Sequence, residues 1–322
     1  MKLRISQSDL RKPTSKNSFP KQPGLGYATE RGQMLVGGTE QVLASRAAEK
    51  LRGKVQMILT SPPFPLNRKK KYGNLNGEEY VDWLASFAPR FRELLKPDGS
   101  IVLELGNAWE PGRPVMSTLA LKALLAFLER GRFFLCQQFI CYNPARLPSP
   151  AQWVNVDRVR VKDSYTHVWW MAPSEHPLAN NRHVLRDYSL SMQRLLTTKN
   201  YNAGKRPSGH QIGKKSFLRN NDGAIPPNVL MLTNTKSSDA YQRYCRERHL
   251  PIHPARMPSG LPEFFVKFLT VPGNLVLDPF AGSNTTGAVA ERLKRRWIAI
   301  EPDAKYAAGS QGRFSGWTRI RS

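Results

Sequence analysis

Two short segments of this 322-residue chain carry residue types that could do chemistry. In the first, the apolar run Val55-Gln56-Met57-Ile58-Leu59-Thr60 ends in Ser61-Pro62-Pro63-Phe64. A buried strand that stops at two prolines puts rigid backbone at the carboxyl edge of a sheet, where open α/β folds bind ligands. Proline fixes φ and has no N–H, so the carbonyls around Pro62 stay available as acceptors in set positions. The Ser61 hydroxyl is a further acceptor. Such a set suits an amino group on an aromatic ring, a weak nucleophile because its lone pair is delocalised. Acceptors aimed at its two hydrogens favour a pyramidal nitrogen and help a proton leave. Phe64 offers a face on which a flat heterocycle can stack. The same tetrapeptide would also serve as a proline-stiffened loop after a strand.

The second segment runs from Asn274 to Gly287 and contains Asp278-Pro279-Phe280-Ala281-Gly282-Ser283-Asn284-Thr285. An apolar strand enters a turn of small residues that opens a helix, as where backbone must lie against a nucleotide. The turn is not GxGxxG, so a dinucleotide pyrophosphate fits poorly. Glu301 ends the next strand, where an acid grips ribose hydroxyls in such folds. The pair suits a nucleoside cofactor with no phosphate chain, although an ordinary strand-to-helix turn followed by an acid has the same pattern. Cys136, Cys141 and Cys245 have neither disulfide nor metal-ligand spacing, so they are expected as small buried groups in a reducing cytosol, and no metal site is expected.

The elements that must position these segments follow from periodicity. Val55 to Thr60, Ile101 to Leu105, Phe133 to Tyr142, His167 to Met171, Asn274 to Leu277 and Trp297 to Ile300 read as strands. Tyr80 to Leu95, Val115 to Glu129, Leu261 to Leu269 and Thr285 to Leu293 have helical spacing, and Lys96-Pro97-Asp98-Gly99 is a turn signature. Alternating strands and helices predict an α/β fold, a mostly parallel Rossmann-like sheet covered on both faces, with a smaller basic module. Residues 1–26 read as a flexible basic arm, 27–173 and 251–310 as two halves of the main domain, 174–250 as a basic, loop-rich insert, and 311–322 as a tail. No apolar run is long enough to span a membrane, and the first residues lack a secretory signal, so a cytoplasmic protein is expected.

Lys and Arg number 49 against 24 Asp and Glu, a net charge of +25. A surface so unbalanced repels itself unless a polyanion neutralises it, and the partner this implies is nucleic acid.

Taken together, these residues resemble the amino-methyltransferases of restriction-modification systems, in which (D/N/S)PP(Y/F/W) is the catalytic motif and F-x-G-x-G the cofactor loop. The order here, catalytic motif first and basic insert between, resembles the β group of that family. The resemblance spans roughly residues 27–301 and runs closer to a cytosine-N4 type. It includes Arg68-Lys69-Lys70-Lys71, Val159-Arg160-Val161-Lys162-Asp163, Arg206-Pro207-Ser208-Gly209-His210 and Ile225-Pro226-Pro227-Asn228. It implies a Rossmann-like methyltransferase fold, S-adenosylmethionine as cofactor, and methylation of cytosine N4 in duplex DNA with the base flipped out. It further implies catalytic roles for Ser61, Pro62, Pro63, Phe64 and Glu104. Cofactor contacts would come from Thr39, His253, Asp278, Pro279, Phe280, Ala281, Gly282, Ser283, Asn284, Thr285 and Glu301.

Arg68, Lys69, Lys70 and Lys71, with Lys205, Arg206, His210, Lys214 and Lys215, are expected on DNA, mostly on phosphate. A palindromic hexanucleotide target such as CAGCTG, a monomeric enzyme and a cognate endonuclease sharing only the target site complete what the resemblance implies.

Three departures stand out. Asn284 replaces the second glycine of the cofactor loop, Thr39 stands where many relatives have an acid, and Glu104 replaces an Asp. Glu104 could relay a proton or hold backbone donors. Two other functions compete: adenine-N6 methylation in the same geometry, and a basic nucleic-acid-binding protein with an inactive cofactor site. Cytosine-C5 chemistry is excluded, because it needs a cysteine nucleophile, usually after proline, and no Pro-Cys pair occurs.

Overall fold

The computed structural model describes residues 23–64, 77–233 and 239–314. Arg68 to Lys71 therefore lie outside the described residues.

The strands are β1 (Gly24–Ala28), β2 (Gly32–Val36), β3 (Val55–Thr60), β4 (Leu95–Gly106), β5 (Phe134–Tyr142), β6 (Tyr165–Ala172), β7 (Gly204–Lys205), β8 (Gln211–Ile212), β9 (Val229–Met231), β10 (Leu275–Asp278) and β11 (Arg296–Glu301). Helices α1 (Thr39–Leu43) and α2 (Arg46–Glu49) follow β2; α3 (Gly77–Ser86) and α4 (Ala88–Leu94) precede β4, and α5 (Leu119–Gly131) follows it. Then come α6 (Leu190–Thr198), α7 (Ala240–Glu247), α8 (Gly260–Leu269), α9 (Thr285–Arg292) and α10 (Ala304–Ser310).

Nine strands make one sheet in the order β1-β2-β11-β10-β3-β4-β6-β5-β9, and β7 pairs with β8 in a separate hairpin. Strands β2, β11, β10, β3 and β4 are parallel neighbours. Strand β6 is antiparallel to β4 and to β5, so β5 ends at the same edge as the parallel set. The mostly parallel α/β sheet expected from the sequence is present. Every residue of β3 is buried, as in a strand covered on both faces. Its alternation sorts side chains by face. Ile58 joins Leu84, Phe91 and Phe127 under α3, α4 and α5. Met57 and Leu59 join Leu261, Phe265 and Val289 under α8 and α9.

Some boundaries differ from the expected ones. The helix anticipated over Tyr80 to Leu95 is two, α3 and α4, with Pro89 in the first turn of the second. Proline there has no N–H for the preceding turn and starts a new helix. The helix anticipated from Val115 begins at Leu119, because Met116 instead bridges to Trp109 and the Ser117 N–H donates to the Ala108 carbonyl. Lys96 to Gly99 is not a free turn but a bulge inside β4, where pairing with β3 jumps from Val55–Leu95 to Met57–Ser100. The Gln56 amide donates to the Asp98 carbonyl and holds the bulge. Cys141 and Cys245 are buried, whereas Cys136 is only partly so, near the sheet's margin.

Residues 174–250 contribute both to the main sheet and to structure outside it. Strand β9 extends the main sheet beside β5, and α7 packs on the 3-10 turn Gln311–Arg313, while α6 and the β7–β8 hairpin stand outside the sheet. Among the described residues no helix is long and apolar enough to cross a membrane.

Candidate active site

From β10 the chain proceeds through α9 to β11, on one side; from β3 it proceeds through α3 and α4 to β4, on the other. The β10–β3 boundary is thus where the strand order reverses, the place where open α/β sheets bind ligands beyond their carboxyl ends. Both chemical segments leave the sheet there, Ser61 to Phe64 from β3 and Asp278 to Thr285 from β10. The Thr60 hydroxyl donates to Asp278 Oδ1 at 2.7 Å and ties the two strand ends together. They open onto one cavity of about 450 Å³.

On the β3 side, Ser61, Pro62, Pro63, Phe64 and Glu104 all line this cavity. The Phe64 ring lies over Gly106 at the end of β4 so closely that a Cβ at Gly106 would overlap it. Glu104 is buried and accepts hydrogen bonds from the hydroxyls of Thr166 (2.9 Å) and Ser61. Burial raises its pKa above the usual carboxylate range, and the bonds from Thr166 and Ser61 and the charge of Arg146 oppose that rise. Because Ser61 donates its proton to Glu104, its oxygen faces the cavity as an acceptor.

On the β10 side, His253, Asp278, Phe280, Ala281, Gly282, Ser283, Thr285 and Glu301 line the same cavity. Gly282 has φ of +51°, and the His253 ring packs against it. The buried Glu301 carboxylate accepts from the N–H of Gly282 at 2.8 Å and of Asp303 at 3.0 Å. Burial pushes its pKa up to about 7 and that of Asp278 up to about 6. Each Glu301 oxygen keeps a lone pair for a further donor. The backbone N–H of His253 donates to Tyr241 Oη at 2.8 Å, and burial lowers the pKa of the His253 ring. Phe280 also packs on Trp83 and Phe87, anchoring the loop to the core.

Thr39, Pro279 and Asn284 stand behind the cavity. The Thr39 hydroxyl donates to the Pro279 carbonyl at 2.5 Å, bracing the loop from α1. Asn284 occupies the left-handed conformation (φ 53°, ψ 45°), which asparagine tolerates better than most residues with a Cβ. Its Oδ1 accepts from the Gly287 N–H at 3.0 Å and caps α9, and its Nδ2 donates to Tyr27 Oη at 3.0 Å. Tyr27 in turn donates to Ser310 Oγ, which donates to the Ala307 carbonyl. The missing glycine of the loop is therefore replaced by the residue best able to keep its backbone shape. Lys205, Arg206, His210, Lys214 and Lys215 are not in the cavity wall; they lie on or beside the β7–β8 hairpin, all exposed except the half-buried Arg206.

Sequence reasoning missed Arg313, which falls in the segment read as a tail. Its guanidinium donates to the Ser283 carbonyl at 2.5 Å and hydroxyl at 3.0 Å, and lies 4.6 Å from the centroid of the Tyr241 ring. It also missed Asn143, Arg146, Tyr165 and Thr166, which line the same cavity as the Asp278–Thr285 loop. No local pattern marks them; only the antiparallel return of β6 brings the last two to the reactive edge.

The arrangement presents acceptors at a strand end and a loop shaped for a nucleoside within one enclosure, and the comparisons with known proteins agree with it. The N6_N4_Mtase family model, described as DNA methylase, matches residues 55–311. The Type II methyltransferase M.PvuII of Proteus hauseri is 44% identical over 299 residues, 92% of this chain and 87% of that protein. The solved PvuII DNA methyltransferase (cytosine-N4-specific) superposes with a TM-score of 0.72 at 38% identity, covering 92% of this chain and 90% of the other. An M1.HpyAVI–SAM complex shares the fold, with a TM-score of 0.52 at 18% identity over 88% of this chain and 98% of that one. With the family model matching most of its length and both motifs meeting at one sheet edge, the chain belongs to the N6/N4 DNA methylase family.

Proposed function

We propose that this protein is a site-specific DNA methyltransferase of a restriction-modification system, moving a methyl group from S-adenosylmethionine to N4 of a cytosine flipped out of duplex DNA. The observation that carries this reading is the single cavity shared by the Ser61–Glu104 pair and the Gly282–Glu301 loop.

The residues present fit the cofactor. A volume of about 450 Å³ falls within the roughly 300–1,000 Å³ of small-molecule sites. Glu301 keeps acceptor capacity for ribose hydroxyls, and Phe280, Gly282, Ser283 and His253 surround the space beside it. When bound, S-adenosylmethionine supplies an electrophilic methyl group on a sulfonium. Ser61 Oγ accepts one hydrogen of the target amino group, and the carbonyl near Pro62 accepts the other. Phe64, pinned over Gly106, stacks on the extruded base. As the amino nitrogen gives up a proton to Ser61 Oγ, the hydroxyl proton already held by Glu104 passes to that carboxylate. Serine at the head of the motif usually marks cytosine N4 within this family.

In the same reading, duplex DNA is held by Arg68, Lys69, Lys70 and Lys71 beside the catalytic motif, and by Lys205, Arg206, His210, Lys214 and Lys215 of the 174–250 recognition region. Residues 27–173 and 251–310 form the catalytic body, and the enzyme works as a cytoplasmic monomer beside an endonuclease that shares its site.

The test is transfer of labelled methyl from S-adenosylmethionine to plasmid DNA by the unaltered protein and by Ser61→Ala. Loss of a positioned proton acceptor costs on the order of 10²–10⁴ in rate, with cofactor and DNA affinity kept. Full activity in Ser61→Ala removes the serine from the mechanism.

A further inference from the structure

Residues 143–164 join β5 to β6 and supply the cavity wall opposite the cofactor loop through Asn143, Arg146 and Ser164. Their two limbs are stitched together at the base. The Asn143 N–H donates to the Ser164 carbonyl at 2.8 Å, and the Asp163 N–H to the Ser149 carbonyl at 2.9 Å. Lys162 Nζ crosses to the carbonyls of Pro144 (2.9 Å) and Arg146 (3.3 Å), and Asn107 Nδ2 grips Asp163 Oδ1 at 2.8 Å. The segment is a built structure anchored to the sheet.

What it displays is unusual for such a structure. Leu147 is 81% exposed and Val161 88%, with Val156 and Val159 also turned to solvent. The bonds at 146–162 and 149–163 join the two limbs that carry Leu147 and Val161, and Leu147 directly follows Arg146 of the cavity wall. Four exposed aliphatics gathered on one short anchored segment mark a contact site. Arg158 and Arg160 flank them, both exposed and neither in an ion pair among the described residues, while the nearby Asp157 carboxylate is taken up by Gln152. Aliphatic side chains beside exposed guanidinium groups, of which Arg160's donates to the neighbouring Val159 carbonyl at 2.6 Å, match an occupant that is anionic outside and apolar inside, which describes a base-paired stack with its phosphates.

We propose that this segment enters the duplex: Leu147 and Val161 press into the stack beside the target nucleotide and hold open the space it leaves, while Arg158 and Arg160 take flanking phosphates. The inference rests on the reading of the protein as a base-flipping DNA methyltransferase. Extruding a base costs its pairing and stacking, and inserted aliphatic side chains offset that cost in other DNA-deforming proteins. Cations beside the wedge fix its register without reading sequence.

The experiment measures single-turnover methylation of two short duplexes carrying the site that the unaltered protein methylates. One is fully paired and the other has an abasic position opposite the target base, where little pairing energy remains. For Leu147→Ser/Val161→Ser, the rate on the paired duplex falls about tenfold or more, while the rate on the abasic duplex stays within about twofold of the unaltered protein. Equal losses on both duplexes, or no loss on the paired one, overturn the wedge, and the second result leaves the exposed aliphatics for a protein partner. Saturable S-adenosylmethionine binding by the variant separates these results from a folding defect. For Arg158→Gln/Arg160→Gln, the slope of log affinity against log salt shrinks by about two, and an unchanged slope removes the arginines from the contact. If the unaltered protein methylates no DNA at all, the methyltransferase reading fails and the wedge with it; if it methylates both duplexes while the variants match it, only the wedge fails.

Discussion

Glu301 holds its carboxylate inside the protein against two backbone N–H groups, at a pKa pushed up to about 7 by burial. A ribose hydroxyl donates better to the ionised carboxylate, so binding a nucleoside pulls that pKa down and releases a proton. Affinity for S-adenosylmethionine should therefore rise about tenfold from pH 6 to pH 8 and level off above, as the ionised fraction of a group near 7 does. Equilibrium binding across that range checks it, and Glu301→Gln should bind more weakly with a flat profile. The free protein responds with the opposite sign. The fold keeps a proton on Glu301 that the unfolded chain has released, so stability falls as pH rises from about 4.5 to about 7. Denaturant titrations of the unaltered protein and Glu301→Gln between those limits measure the difference.

At the scale of elements, the strands and the two motif-bearing turns were legible because burial on both faces leaves an apolar run that few other structures produce. Val55 to Thr60 and Leu275 to Asp278 announce themselves, and Ser61 and Gly282 follow from where those strands must end. The wall formed by Asn143, Arg146, Tyr165 and Thr166 was not legible, since its position depends on β6 returning antiparallel. Arg313 was hidden for the same reason: its contacts with Ser283 and Tyr241 span 30 and 72 positions and leave no local trace. The helix break at Pro89 was readable in principle, because a proline inside a helical pattern ends or restarts it. Asn284 could be recognised only as a departure from a motif; its left-handed backbone and its bond to Tyr27 give the reason it is accepted. Asn284→Gly should keep the loop shape and lose the cap and the Tyr27 bond, lowering stability by about 1 kcal/mol. Asn284→Val loses both and adds the strain of a β-branched residue at positive φ, for a total of roughly 3 kcal/mol or more. Thermal unfolding of the two variants orders them, and a valine variant as stable as the glycine one contradicts this account of the loop.

Across the whole molecule, the parallel sheet brings the Asp278–Thr285 loop and the proline motif to one edge, and the chain carries a net charge of +25. Such a surface binds DNA by releasing counterions, so affinity for a duplex should drop by about 10³-fold or more between 50 and 200 mM salt if six or more phosphates are engaged. A shallow salt dependence would mean that the charge serves another purpose. The site itself makes a narrower claim, because the Ser61–Glu104 pair is assigned to activating the amino group of cytosine. That claim is tested most directly by digesting DNA methylated by the pure protein to nucleosides and identifying the labelled product by mass spectrometry. N4-methylcytosine as the sole labelled nucleoside is the predicted result, and N6-methyladenine, or DNA left without label, would contradict it.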